Sequence, residues 1–321
     1  MQALWLENGR LYLRDDLSVP LPQAHEALVR VRLAGICTTD LELVKGYYPF
    51  SGVPGHEFVG QIAQAPGADD LVGRRVVGEI NVACGHCGPC RAGLAKHCRN
   101  RQVLGIKQRQ GAFAAYLCLP RSNLIPVPDS IADEAAVFAE PLAAALQIEE
   151  QVDIAAQHRV LLIGAGKLGL LIAFCLARTG CNLLVAARHS RPQSLLEQFQ
   201  IAWETEDRLP ERAFDIVVEA SGTPAGFHLA QRCVRAAGTI VLKSTFKGEV
   251  RVNPSVWAVD EITLVGSRCG PLPKALHLLA AGAVDPLPLI EGRHPLPQAL
   301  RAFEHAAKPG SLKILLEMEG V

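Results

Sequence analysis

RVLLIGAGKLGLLIAFCLA, residues 159–177, decides the fold of this chain. The apolar run Arg159–Ile163 reads as a strand, Gly164-Ala165-Gly166-Lys167-Leu168-Gly169 as a glycine turn, and the apolar residues that follow as a helix. Glycine is common at turns, but three of them between a strand and a helix answer to specific needs. Gly164 permits the tight turn, Gly166 lets a pyrophosphate approach the backbone, and Gly169 brings helix and strand together. Lys167 and Leu168 complete the turn. An anion then rests on the helix N-terminus, where unpaired amides and the helix dipole favour negative charge.

Downstream the same alternation repeats in NLLVAA, FDIVVEAS, TIVLKS and ITLVGS, with helical segments between them. Strands that alternate with helices make βαβ units, so this half is predicted to be an α/β, doubly wound parallel sheet. Upstream the pattern is different. Short β-rich runs (ALVRVRLAG, FVGQIAQAP, RRVVGEI, FAAYLCLP) are punctuated by Gly and Pro, which predicts a β-rich domain with few helices. After Ser267 two helices are predicted, around Pro273 to Ala281 and Leu296 to His305, before a last strand, KILLEM, that is able to return to the first domain. Hinges are expected near Glu140 to Gln151 and near Arg268.

An acid at the end of the second nucleotide-fold strand would bind the ribose hydroxyls of NAD. Here the position is Arg188, with Arg191 close behind. Two guanidiniums and no acid suit the 2′-phosphate of NADP, to which Arg offers bidentate charge-assisted bonds. NADP is therefore the expected cofactor, with NAD the alternative, and two solvated loop arginines the plainer reading of the same residues.

Cysteine usage points to metal. Cys84, Cys87, Cys90 and Cys98 follow C-x2-C-x2-C-x7-C, a spacing that lets four thiolates close on one zinc. All four positions are then filled by sulfur, as in a structural site; His86 and His97 lie inside the loop as substitutes. A catalytic zinc needs fewer protein ligands and an open position. Cys37, in GICTTDLE, and His56 with Glu57, in VPGHEFVG, are the candidates. Taken singly, a lone cysteine is more often a small buried hydrophobe and a lone histidine a hydrogen-bonded core residue.

The 321 residues are 49% hydrophobic and formally neutral, enough for two ordinary cores and without a long-range field to recruit nucleic acid or an anionic membrane. A small, weakly charged substrate fits better. The amino terminus has no basic n-region followed by an apolar core, so the ten cysteines are expected to stay reduced, in the cytoplasm. No transmembrane segment is predicted, because the longest apolar run is broken by glycines and a lysine.

Taken in order, GICTTD from Gly35, GHE from Gly55, the four-cysteine lobe, GAFAAY from Gly111, EPLA from Glu140, GAGKLG and EASG from Glu219 span nearly the whole chain. Together they resemble the zinc-containing medium-chain dehydrogenase/reductase superfamily, the relatives of alcohol, sorbitol, threonine and glucose dehydrogenases. The resemblance implies a GroES-like catalytic domain from residues 1–143 and 269–321 and a Rossmann domain over 144–268. It implies that Cys37 and His56 hold a catalytic zinc, with Glu57 a third or exchanging ligand. Glu140 stands where many alcohol dehydrogenases have a second cysteine and polyol and sugar dehydrogenases a glutamate, so the third ligand is open between Glu57 and Glu140. Asp40 matches the carboxylate that accepts a proton from the zinc-bound histidine, and Thr39 the hydroxyl that relays the substrate proton; either also suits a helix start. Glu42 replaces a histidine of many relatives and is a candidate specificity residue.

The implied activity is hydride transfer between NADP and a secondary alcohol, polyol or sugar, by a homodimer or homotetramer paired through the region of ITLVGS. About two zinc ions per chain are expected, one catalytic and one structural. The rivals are weaker. A short-chain dehydrogenase needs Tyr-x-x-x-Lys, and none of Tyr12, Tyr47, Tyr48 or Tyr116 has Lys four residues later. A zinc-independent quinone reductase has no use for the cysteine lobe. A zinc-ribbon nucleic-acid binder lacks net positive charge and interleaved aromatics. A catalytically silent NADPH-binding sensor would bind cofactor without turnover.

Overall fold

The computed structural model describes residues 1–245 and 249–318. The chain divides into two compact units, Met1–Glu140 with Leu272–Val321, and Pro141–Pro271.

The first unit is built on a seven-stranded sheet. Its path runs Leu124–Pro126, Arg75–Gly78, Glu57–Gln64, Glu26–Ile36, Lys313–Glu317 and Ile290–Pro295, and Tyr116–Pro120 adds to the Glu26–Ile36 strand. Glu26–Ile36 is the organiser, with Leu28, Val29, Val31, Ala34 and Ile36 almost wholly buried. β-branched and leucine side chains packed on both faces favour the extended backbone there. Opposite its end, Gly35 pairs with Glu57 on one side and Leu315 on the other. Three stretches far apart in sequence thus end at one place, and KILLEM does return to the first unit's sheet.

Pro141–Pro271 carries a six-stranded sheet in the order Trp203–Glu204, Asn182–Ala186, Arg159–Ile163, Phe214–Glu219, Val234–Leu242, Thr263–Gly266. All its pairings are parallel. Val160 to Ile163 are fully buried, which accounts for an apolar run rather than an alternating one: helices cover both faces. The helix Lys167–Ala177 buries eight of its 11 residues. The order reverses beside Arg159–Ile163, the place where such sheets bind nucleotides.

Several elements differ from expectation. Residues 139–151, where a hinge is expected, form a 13-residue helix, and the two units divide within it, between Glu140 and Pro141. AEPLAAALQIEEQ is rich in strong helix formers, and Pro141 sits in the first turn, where it breaks no hydrogen bond. The second late helix spans Ala299–Ala306, because Leu296–Gln298 forms a separate 3-10 turn. The hairpin Ala3–Glu7 with Arg10–Arg14 and the strand Ile290–Pro295 carry no sequence-based expectation. Among the described residues no helix is long and apolar enough to cross a membrane.

Candidate metal and nucleotide sites

Cys37 stands where the Glu26–Ile36 strand gives way to the helix Thr38–Val44. Its amide donates to Asp40 Oδ2 at 2.8 Å, so Asp40 caps the helix. The other carboxylate oxygen, Oδ1, lies 3.3 Å from His56 Nδ1. One fully buried carboxylate therefore steadies both the thiol's backbone and the imidazole. Thr39 Oγ1 is 3.8 Å from Cys37 Sγ. Cys37 Sγ, a His56 ring nitrogen and a Glu57 carboxylate oxygen lie within 4.8 Å of one another.

Glu57 begins the Glu57–Gln64 strand and is 1% exposed. Its Oε2 accepts a hydrogen bond from Lys313 Nζ, whose side chain is equally buried and lies over the Phe138 ring. The pair crosses the backbone of Gly35, and a Cβ there would collide with the Glu57 carboxylate and crowd Lys313. Glycine at 35 is thus required by close approach. Burial alone would strip the proton from Lys313, but Glu57, with Cys37 and Asp40 behind it, holds its pKa above the usual value.

Does this cluster fit a zinc ion? Glu57 Oε1 is buried with no hydrogen-bond partner, while Asp40 Oδ1 and His56 Nδ1 face only each other. Burial opposes a charge on His56, yet Asp40 and then Cys37 raise its pKa well above normal. The pocket is arranged around a positive charge. Sulfur, nitrogen and oxygen donors at these separations suit zinc, so the residues fit.

Glu140 lies in the first turn of the Ala139–Gln151 helix, outside the trio. Part of the residue reaches the surface, but desolvation of its carboxyl, opposed by His56 and aided by Glu57, pushes its pKa up to about 7. Glu42 accepts from Lys45 Nζ at 2.8 Å on an exposed helix face.

The second cluster gathers Cys84, Cys87, Cys90 and Cys98 within 4.8 Å of one another. Cys87 Sγ is 3.4 Å from Cys90 Sγ and 3.8 Å from Cys98 Sγ. A tetrahedral Zn–S₄ centre puts its sulfurs roughly 3.8 Å apart, whereas a disulfide needs about 2 Å. The amides of Arg99 and Cys90 draw Cys87 down to about 6, while desolvation and then Cys87 drive Cys90 up to about 12. Four thiols in this space cannot all ionise without a cation, so this cluster also fits zinc. His86 Nδ1 bonds instead to the Cys84 carbonyl oxygen at 2.8 Å, and neither His86 nor His97 belongs to the donor group.

In the second unit Gly164 has φ +100°, a conformation L side chains rarely adopt. A Cβ on Gly169 would strike the Gly164 carbonyl. Gly166 is the N-cap of the helix Lys167–Ala177 and offers no side chain to its amides, and Lys167, Leu168 and Gly169 form the first turn. A helix N-terminus of this kind favours an anion. Ala187 is buried, while Arg188 and Arg191 are exposed. Arg188 Nη2 donates to Glu206 Oε1 at 2.7 Å.

Sequence reasoning missed two partners, Lys313 and Glu206. A lysine opening the otherwise apolar KILLEM strand was the available signal, since a buried ammonium demands a counter-charge. Glu206 carries no local signal.

Comparisons with known proteins agree with this layout. The family described as Alcohol dehydrogenase GroES-like domain matches residues 23–129. The L-galactonate-5-dehydrogenase of Escherichia coli K12 is 29% identical over 323 residues, 95% of this chain and 94% of the relative. An L-threonine 3-dehydrogenase of Chelativorans sp. BNC1 is 32% identical over 254 residues, 70% of this chain and 69% of the relative. Among solved structures, a Sinorhizobium meliloti 1021 protein assigned as a zinc-binding dehydrogenase and crystallised with NADP superposes with a TM-score of 0.90 at 28% identity, covering 98% of both chains.

Proposed function

The chain belongs to the zinc-containing medium-chain dehydrogenase/reductase superfamily and is an oxidoreductase, and from that premise we propose a narrower activity: reversible oxidation of a secondary alcohol of a polyol, sugar or sugar acid with NADP. The observation that carries it is the trio of half-buried Cys37 with buried His56 and Glu57, backed by Asp40.

When bound, zinc supplies Lewis acidity toward the substrate oxygen, and the nicotinamide ring accepts or returns the hydride. The remaining work falls to this chain's residues. Cys37 and His56 anchor the metal. Asp40 fixes the His56 ring from behind and, through the Cys37 amide, keeps the thiol in place. Glu57 and Glu140 share the third donor role: Glu57 lies within the trio but gives one oxygen to Lys313, and Glu140, raised to about 7, gives up its proton readily as a cation arrives. Thr39, beside Cys37 Sγ, relays the proton of the substrate hydroxyl: its Oγ1 accepts that proton as it donates its own onward to solvent water.

The four-cysteine lobe holds a second, structural zinc, making about two per chain. Gly164, Gly166, Lys167, Leu168 and Gly169 bind the pyrophosphate, and Arg188 and Arg191 the 2′-phosphate. The relative that acts on L-galactonate supports a polyhydroxylated substrate. No cysteine among the described residues forms a disulfide, which supports the cytoplasmic reading. The exposed edge strand Thr263–Gly266, with Leu264 at 43% exposure, supports pairing between copies as a dimer or a tetramer.

A panel of polyols, aldonic acids and simple secondary alcohols, run with NADP and NAD on zinc-loaded protein, tests the reading. Turnover is expected on polyhydroxylated substrates and lost in Cys37→Ser; cofactor binding with no turnover on any member would replace it with the silent sensor.

A further inference from the structure

The register of the nucleotide-binding sheet brings an acid from a neighbouring strand onto the arginine that ends the second one. Asn182–Ala186 pairs in parallel with Trp203–Glu204, Ala186 opposite Glu204. The ladder closes with the Ala187 amide donating to the Glu204 carbonyl at 3.0 Å. Two residues further on each chain stand Arg188 and Glu206, level with one another and joined at 2.7 Å. On its other flank the same strand anchors the glycine turn: Ile163 pairs with Ala186, and the Gly164 amide donates to the Ala186 carbonyl at 3.3 Å. Arg188 therefore leaves the backbone two residues past the point that fixes the pyrophosphate turn.

At this place in a doubly wound sheet, a carboxylate favours ribose hydroxyls and a guanidinium favours a 2′-phosphate. This chain supplies both. Ala187 is buried and too small to contribute, and Glu204 is occupied with the Thr205 amide and hydroxyl at 2.8 and 3.2 Å. Among the described residues Glu206 is the acid paired with Arg188, and its backbone carbonyl accepts from Arg232 at 3.4 Å, which helps hold the turn.

We propose that Glu206 is a specificity-determining residue that competes with the 2′-phosphate of NADP for Arg188 and so narrows the preference for NADP over NAD. The inference rests on the dinucleotide reading of this unit. The side chains of Arg188 and Glu206 are 65% and 39% exposed, so the pair opens at little cost. A phosphate dianion displaces the carboxylate, but the carboxylate stays nearby and repels it. NAD, with no phosphate at that position, meets no such repulsion.

The test is binding by calorimetry on zinc-loaded protein, with NADPH, NADH, 2′,5′-ADP and 5′-AMP, for wild type, Glu206→Gln, Arg188→Met and the double variant. Glu206→Gln should tighten NADPH and 2′,5′-ADP about fivefold, the size of one like charge removed from near a dianion in a solvated site, and leave NADH and 5′-AMP unchanged. In the Arg188→Met background the same change should have an effect below about twofold, because the competition has lost its object. Equal shifts for all four ligands, or no shift while wild type binds both cofactors, overturn the role of Glu206 alone. A wild-type protein that binds none of the four overturns the dinucleotide reading and this inference with it.

Discussion

Between Cys84 and Cys98 four sulfurs crowd onto a largely exposed loop with no other donor among them, whereas Cys37 stands with an imidazole and a carboxylate in a pocket where His56 and Glu57 are almost wholly buried. The loop has Cys98 as its one buried cysteine and packs little apolar surface of its own. A metal there would take the place of a core. The pocket is framed by the central sheet, whose register sets Gly35 against Glu57 and Leu315. On the proposed reading the direction of support differs: in one place an ion would hold the protein, in the other the protein would hold the ion.

The hardest blow to that contrast is Cys37→Ser. Losing the Lewis acid forfeits several kcal/mol of transition-state stabilisation, so kcat/KM should fall about a thousandfold or more, with the melting temperature nearly unmoved. Thermal melting accompanied by collapse of the fold would show that this metal too is structural. Cys90→Ser should do the opposite: zinc content drops by about one ion per chain and Tm falls on the order of 10 °C. Activity per folded molecule should persist, and equal loss of turnover and stability would erase the division of labour.

Lys313→Met asks how far the sheet prepares the pocket. It leaves the Glu57 carboxylate buried without its cation, at a cost of about 3–5 kcal/mol in denaturant unfolding. Adding Glu57→Gln should recover most of it. Absence of recovery would mean that packing over Phe138, not the ion pair, supplies the stability. The smallest effect belongs to Asp40→Asn, which keeps a cap but weakens the hold on His56. Affinity for the more weakly held zinc should fall about tenfold, with the lobe's zinc unaffected in a competitive chelator titration.

How much of this was legible beforehand follows from how local each signal is. The glycine turn at Gly164 and the cysteine spacing from Cys84 to Cys98 are short-range patterns, readable because their geometry is set within a few residues. The grouping of Cys37 with His56 and Glu57 came from their resemblance to a motif order, not from spacing. Lys313 and Glu206 act only through strand register, and nothing in their neighbourhoods says which strand will lie alongside. The helix over residues 139–151 was legible in its alanines and leucines, and its place between two differently patterned regions marked where the units divide. Glu42, singled out by the resemblance, pairs with Lys45, a contact that sequence spacing of three already allowed and that bears on neither outcome for its proposed role in specificity.

The Glu57–Lys313 pair spans 256 residues of chain. At a synthesis rate of roughly 5–20 residues per second, a ribosome needs about 10–50 s to travel from one to the other. Until then the nascent first unit carries a carboxylate that its interior has no means to neutralise. The contiguous stretch Pro141–Pro271, complete well before Lys313 emerges, is free to fold in the meantime. Translation order thus gives the parallel-sheet unit a head start, and the seven-stranded sheet closes only when the late-made strand slides in beside Glu26–Ile36.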